Sequence, residues 1–325
     1  MALIQGDIRS VLSGKKTKAV PLWELEFHLW EEFAGRPVPF GKAFTDLPDS
    51  NREKALMDSA EAILEVSDKL HFSAVTIPGG YWETSPGQPA FYWLPDRSRL
   101  RLAERLAASK PPQLLLVANV CGVLSMPDSP RFMEFCTRLL EDPDSVQAEA
   151  EEVLARGIED ASKLVDVGVE AVCSPSDIAD NRGPFFNPEQ MDRFILPCLR
   201  RWAAAVRDLG AFPILHTDGN VNSYLDAIAE SGVSALQAVD PLAGMDIKKA
   251  QEKVGGRIAL AGNVDCGLLV SGRPETVFAA AKSLLLSCKS GGKLILGASN
   301  AVQRHVPIAN YLALTEAWEQ YGRIE

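Results

Sequence analysis

The sequence predicts an α/β fold, a (β/α)8 barrel preceded by a short helical extension. Short apolar runs alternate with helix-like segments along the whole chain. Alternation of that kind calls for a parallel sheet, and about eight such units fit a closed barrel better than an open sheet. Neither GxGxxG nor GxxxxGK[ST] occurs, so a nucleotide-binding sheet loses its main support.

Taken in order, Ala2 to Ser13 reads as a short amphipathic helix, Gly14 to Lys18 as a basic loop and Ala19 to Leu25 as the first strand. A polar helix over Asn51 to Asp68 leads to the second strand, Phe72 to Ile77, closed by Pro78-Gly79-Gly80. An aromatic loop from Tyr81 to Trp93 follows, suited either to walling off an apolar ligand or to forming an ordinary buried flap. Gln113 to Gly122 is the third strand, and a helix from Asp144 to Val165 leads to the fourth, over Val169 to Asp177, with Asp177 at or just past its end. Asn187-Pro188-Glu189 has the form of an N-cap followed by proline at the first helical position. Strand five is the stretch Phe212 to Asn220, apolar at first and ending in His216, Asp218, Gly219 and Asn220; strand six is Ser234 to Pro241, strand seven Arg257 to Asp265 and strand eight Lys293 to Asn300. No linker divides residues 1–325, which reads as a single domain.

The 325 residues are 46% hydrophobic and 23% charged, an ordinary globular composition. A formal net charge of −10 argues against nucleic acid or an anionic membrane as a general partner. No stretch approaches the ~20 apolar residues that span a bilayer, and the start lacks a basic region followed by an apolar core, so the expected location is the cytoplasm. The six cysteines form no CxxC pair and read as reduced thiols, Cys121 among them in a packing role.

Chemistry in such a barrel sits where the strands end. His216 and Asp218 stand two apart at the end of an apolar strand, so an extended backbone turns both side chains to one face. The plain alternative is that Asp218 starts a turn or caps the next helix, Val221 to Ser231, while His216 packs. The recurrence of polar groups at successive strand ends favours chemistry. Glu26, Asn119, Asp177, Asp240, Asn263, Asp265 and Asn300 are expected around the same mouth, lined by Trp23, Trp30 and Tyr81 or by the aromatic loop near Tyr92.

These residues resemble the uroporphyrinogen decarboxylase superfamily, which holds decarboxylases of haem biosynthesis and methyltransferases that move methyl groups to or from corrinoids. The likeness is strongest over His216 to Asn220, Ser231 to Gln237, Leu260 to Asp265, and Ile295 to Gly297 followed by Val306 to Asn310. It implies a (β/α)8 fold. Decarboxylases of the family carry two arginines after the first strand, whereas here Pro21 to Trp30 contains none, and Glu26 and Trp30 stand near their places. The family's histidine after strand eight is replaced by Gly297-Ala298-Ser299. The methyltransferase branch implies zinc held by His-x-Cys and a later cysteine; here the pattern reads His216-Thr217-Asp218, and Ala298, Ser299 and Asn300 replace the second thiolate region.

The resemblance therefore implies methyl transfer between a small substrate and a corrinoid (cobalamin) or corrinoid protein, with a porphyrinogen-type decarboxylase, or a barrel that binds without turnover, as alternatives. His216, Asp218, Asp177 and Glu26 are the expected catalytic groups. Trp23, Trp30, His28, Tyr81, Asn119, Asn263, Asp240 and Asn300 are the expected substrate contacts. A site of His216, Asp218 and Glu26, with Cys266 or His28 as a further ligand, is chemically acceptable for zinc, and the metal-free alternative has His216 and Asp218 as an acid and base pair. A homodimer is a further expectation.

Overall fold

Seven of the apolar runs are strands of one sheet in the computed structural model, which describes residues 6–79, 83–85, 88–127 and 129–324. They are β1 (Ala74–Ile77), β2 (Leu115–Asn119), β3 (Ala171–Pro175), β4 (Phe212–His216), β5 (Ala235–Ala238), β6 (Ala259–Val264) and β7 (Leu294–Ala298). Every neighbouring pair is parallel and the spatial order follows the chain. The result is a curled parallel sheet with helices between successive strands, as the alternation predicts.

The strands read as nearly unbroken apolar runs because both faces are covered. On one face Val75, Leu116, Val172, Leu215, Leu236, Leu260 and Leu296 join the large core beneath the helices. On the other, Ala74, Leu115, Val117, Ala171, Cys173, Ile214, Ala235, Ala259, Ala261 and Ile295 enclose a second core with Trp23 and Leu25. That inner core is stoppered by Ile8, Val11 and Leu12 of helix α1 (Ile8–Leu12), whose N-cap Asp7 accepts from the Ser10 amide. Arg9 ties the stopper down, donating to both carboxylate oxygens of Glu170 and to the carbonyls of Gln113 and Leu114. Burial alone would raise the Glu170 carboxyl, but the hydrogen bonds from Arg9 and Lys110 outweigh it and hold the group below its usual range.

The expected first strand, Ala19 to Leu25, is not a regular strand. Its bonds go both ways: the Trp23 amide donates to Leu296 O and the Leu296 amide to Pro21 O, while the Ser73 amide donates to Leu22 O. Pro21 has no N–H to give, which leaves isolated bridges in place of a ladder. Gly297 permits the close passage, since a Cβ there would lie 2.1 Å from Trp23 O. The Asn187 side chain accepts from the Gln190 amide and the Gln190 side chain from the Asn187 amide, a capping box that opens the helix as the sequence indicates. Among the described residues no helix is long and apolar enough to cross a membrane.

Candidate functional site

Alternation along a strand sends every second side chain to the same face. On the inner face the apolar layers Leu115–Val117, Ala171–Cys173, Ile214, Ala235 and Ala259–Ala261 are therefore continued, one step further on, by Asn119, Pro175, His216, Gln237 and Asn263. The sheet interior changes from apolar to polar at the C-terminal ends of the strands.

His216 ends β4 and is 5% exposed. Its Nδ1 meets Gln237 Oε1, and its Nε2 lies 3.8 Å from Asp177 Oδ1 and 3.9 Å from Asp218 Oδ1. Asp177 is fixed across the gap by accepting from the Asp218 amide at 2.9 Å, and its own amide is bound by Ser125 Oγ. Asp218 accepts from Asn300 Nδ2 through one oxygen, while its other oxygen, Oδ1, is buried with no hydrogen-bond partner. Burial lifts the Asp218 carboxyl to about 6, with the Asp177 and Asp240 charges adding to the rise and His216 and Asn300 opposing it. The alternative in which Asp218 caps the next helix does not occur: that helix is Leu225–Glu230, with Tyr224 at its N-cap.

Among the described residues, the group of histidine, cysteine and carboxylate side chains able to share a metal is Asp177, His216 and Asp218, with ligand atoms within 4.8 Å of one another. One imidazole, two carboxylates and an unpartnered buried oxygen form a nitrogen–oxygen donor set that fits a divalent cation such as zinc. The expected ligands Glu26 and Cys266 are not in this group. Glu26 Oε2 is 2.9 Å from His28 Nε2, and Cys266 Sγ accepts from the Asn300 amide at 3.1 Å. Burial pushes the Cys266 thiol up to about 11. Asp177 stands where Glu26 was expected.

The other expected contacts fall in several different settings. Trp23 lies in the inner core with its Nε1 on Thr76 Oγ1, and Asn119 is buried beside that core with its backbone carbonyl bound by Arg99. Asn263 donates to Val239 O and Asn300 reaches Asp218, so both stand at the strand ends. Trp30 belongs instead to the outer core, edge-on to Phe27 and Phe72, because it faces the helices. Asp240 accepts from the Leu242 amide as the cap of a short turn, and Asp265 caps the helix Cys266–Ser271 in the same way. His28 stacks on Tyr92 at 4.7 Å. Tyr81 lies outside the described residues. Cys121, read as a packing thiol, is exposed at the loop after β2.

Two features escaped the sequence reading. Gln237 is the partner of His216, and its signal was a lone amide on the inward register of an otherwise apolar strand. The second is strain: Ala238 (φ 96°), Val239 (φ 45°) and Asn263 (φ 140°) occupy left-handed backbone that costs of order 1–3 kcal/mol per residue. Gly262 (φ 105°) relieves the crowding there, since a Cβ would stand 2.8 Å from Ala238 O.

Asp177 and Asp218 open onto a 390 Å³ cleft also lined by Met126, Asp180 and Arg182. A larger groove of 750 Å³ runs outside the sheet between the helices Asp96–Ser109 and Pro143–Asp166, and does not contain the cluster. Arg138 and Arg156 in it pair with Glu149 and Glu152, the arrangement of a solvated charged face.

Comparison with known proteins follows this geometry. The chain is 26% identical to a uroporphyrinogen decarboxylase of Coxiella burnetii over 205 residues, 62% of this chain and 55% of that one. It is 31% identical over 134 residues to the methylcobamide:CoM methyltransferase MtbA of Methanosarcina mazei, covering 41% of this chain and 37% of that one. The chain thus spans about half the length, or less, of the curated relatives it matches. Among solved structures, a methyltransferase from Methanosarcina mazei superposes with a TM-score of 0.68 at 19% identity, over 97% of this chain and 98% of the other, a likeness of fold. The family model described as uroporphyrinogen decarboxylase (URO-D) matches residues 121–321, and the chain belongs to that family.

Proposed function

We propose that this protein is a methyl-transferring enzyme that moves a methyl group between a small substrate and a corrinoid or corrinoid protein, on a barrel closed as (β/α)8 by Pro21–Glu24. The observation that carries the reading is the grouping of His216 Nε2 with Asp177 and Asp218 at the strand ends, in a chain whose Pro21–Trp30 segment lacks the arginines expected for a polyanionic tetrapyrrole. The methyltransferase relative and the shared fold support it.

In this reading His216, Asp177 and Asp218 hold zinc. The ion supplies Lewis acidity toward an oxygen or sulfur of the substrate. With the metal bound, Asp218 would be a ligand with its carboxylate held ionised. In the metal-free form of the site, Asp218, which burial lifts to about 6, and His216 would act as the acid and base pair that accepts the proton a hydroxyl or thiol loses or returns one to a leaving group. Trp23, Asn119 and Asn300 are proposed to shape the floor and wall around it, and Glu26 with His28 and Tyr92 a second side of the mouth.

The test is metal analysis of the purified protein together with absorbance spectra after adding cob(I)alamin or methylcobalamin. Bound zinc and a spectral change that His216→Ala abolishes support the reading. A metal-free protein that leaves both spectra unchanged overturns it and points to a barrel that binds without turnover. A second reading, decarboxylation of a smaller acid, is favoured by Asp218 as a carboxylic acid able to protonate the carbon that loses CO₂. Coproporphyrinogen formed from uroporphyrinogen under anaerobic conditions would establish the porphyrinogen form of that reading; the missing arginines predict none above background.

A further inference from the structure

We infer that Gln237 is a positioning residue for His216, holding its ring as the Nδ1–H tautomer so that the Nε2 lone pair faces Asp177 and Asp218. The inference rests on the reading of that cluster as the reacting centre. Gln237 is 1% exposed, and the two ends of its amide are distinguished by their neighbours. Its Nε2 donates to Ala298 O at 3.3 Å and Ser299 O at 3.5 Å, both carbonyls and therefore acceptors only. That orientation turns Oε1 toward the imidazole, where it meets Nδ1. An amide oxygen carries no hydrogen, so Nδ1 must be the donor. A neutral imidazole has a single N–H, which leaves Nε2 with its lone pair, 3.8 Å from Asp177 Oδ1 and 3.9 Å from Asp218 Oδ1.

The backbone beside Gln237 is shaped to keep the amide there. Ala238 and Val239, the next two residues, both have positive φ, and Val239 O is held by Asn263 Nδ2 from the adjoining strand. Ala238 O and Ala298 O lie 2.8 and 3.1 Å from where a Cβ on Gly262 would stand, so three strand ends crowd together around the acceptor carbonyls that orient Gln237. Strain of this kind at a strand end is expected where a polar group must be aimed. With the opposite tautomer, Nε2 would present a hydrogen to the carboxylates and could neither ligate a cation nor take a proton.

The experiment uses full-length, metal-free, ¹⁵N-labelled protein at pH 8.5 and long-range ¹H–¹⁵N spectroscopy, with the four histidines sorted by a His216→Ala comparison. The wild type should show a protonated Nδ1 and a lone-pair Nε2 at His216. Gln237→Met removes the acceptor and should shift the ring toward the Nε2–H form that unconstrained histidine favours. Titration with Zn²⁺ should show affinity reduced ~10–100-fold in Gln237→Met. A wild-type ring protonated on Nε2, or a tautomer unchanged in Gln237→Met, overturns the inference. The wild-type spectrum decides even where the Met variant fails to fold. A protein with the Nδ1–H tautomer that binds neither zinc nor corrinoid would sink only the functional reading, and methyl transfer with the opposite tautomer would sink only the role of Gln237.

Discussion

The two ends of the sheet interior are built from the same strands by opposite rules. At the N-terminal end Ile8, Val11 and Leu12 close an apolar core, and the charges nearby, Arg9, Lys110 and Glu170, satisfy one another. At the C-terminal end His216 faces two carboxylates, one oxygen of Asp218 goes without a partner, and three non-glycine residues have strained backbone. One end is arranged for stability and the other gives stability up. That contrast, on a single inner face, is what the proposed site would require: packing at one end and polar groups left partly unsatisfied at the other.

The contrast breaks most sharply with a charge put into the stopper. Val11→Asp should destabilise the protein by roughly 3–5 kcal/mol, because an unpaired carboxylate would enter an apolar core, and denaturant unfolding would measure it. If unfolding were unchanged, the stopper would not be structural. His216→Ala should do the reverse, lowering zinc content and turnover at least ~100-fold while shifting stability by about 1 kcal/mol or less. Loss of several kcal/mol without loss of metal would make His216 a packing residue.

A finer test uses Glu24, buried against the Ala298 amide and the Tyr311 hydroxyl and pushed up to about 8 by burial. A carboxyl raised in the folded state opposes folding as pH climbs from its ordinary range toward that value, because the unfolded chain ionises first. Glu24→Gln should therefore gain melting temperature over wild type as pH rises from about 4.5 to 8, and a difference independent of pH would refute the assignment. The smallest effect concerns Asp218, which behaves in the same sense between about 4 and 6. Folding stability of the metal-free protein should fall over that window by roughly 1 kcal/mol, allowing for solvent at a carboxylate one-third exposed. Asp218→Asn should flatten the slope, while zinc affinity of the wild type should weaken as pH drops through 6.

Much of this architecture could be read from the residues. The seven strands fall where apolar runs ending in polar residues placed them, since burial on both faces leaves a composition signal that turns cannot imitate. The first run, Ala19 to Leu25, looked no different, but Pro21 cannot donate and Gly297 lets the chains pass too closely for a regular ladder. The site was half legible. His216 and Asp218 share a strand end, so their spacing reported their proximity, whereas the choice of Asp177 over Glu26 depends on how separate strand ends splay. Spacing along the chain carries no information on that. Trp30 shows the same limit, because a residue past the strand end turns toward either core with equal ease.

The segment Pro21–Glu24 has a consequence for how the chain acquires its shape. Its bonds to Leu296 join residues more than 270 positions apart, and its bond to Ser73 spans about fifty. Loop closure penalises the longer join, so the bonds to Ser73 should form while the C-terminal units are still being added and the bonds to Leu296 should come last. The amides of Trp23 and Leu296 would then exchange with solvent through partial openings, at lower free energy than those of β3 and β4 in the middle of the sheet.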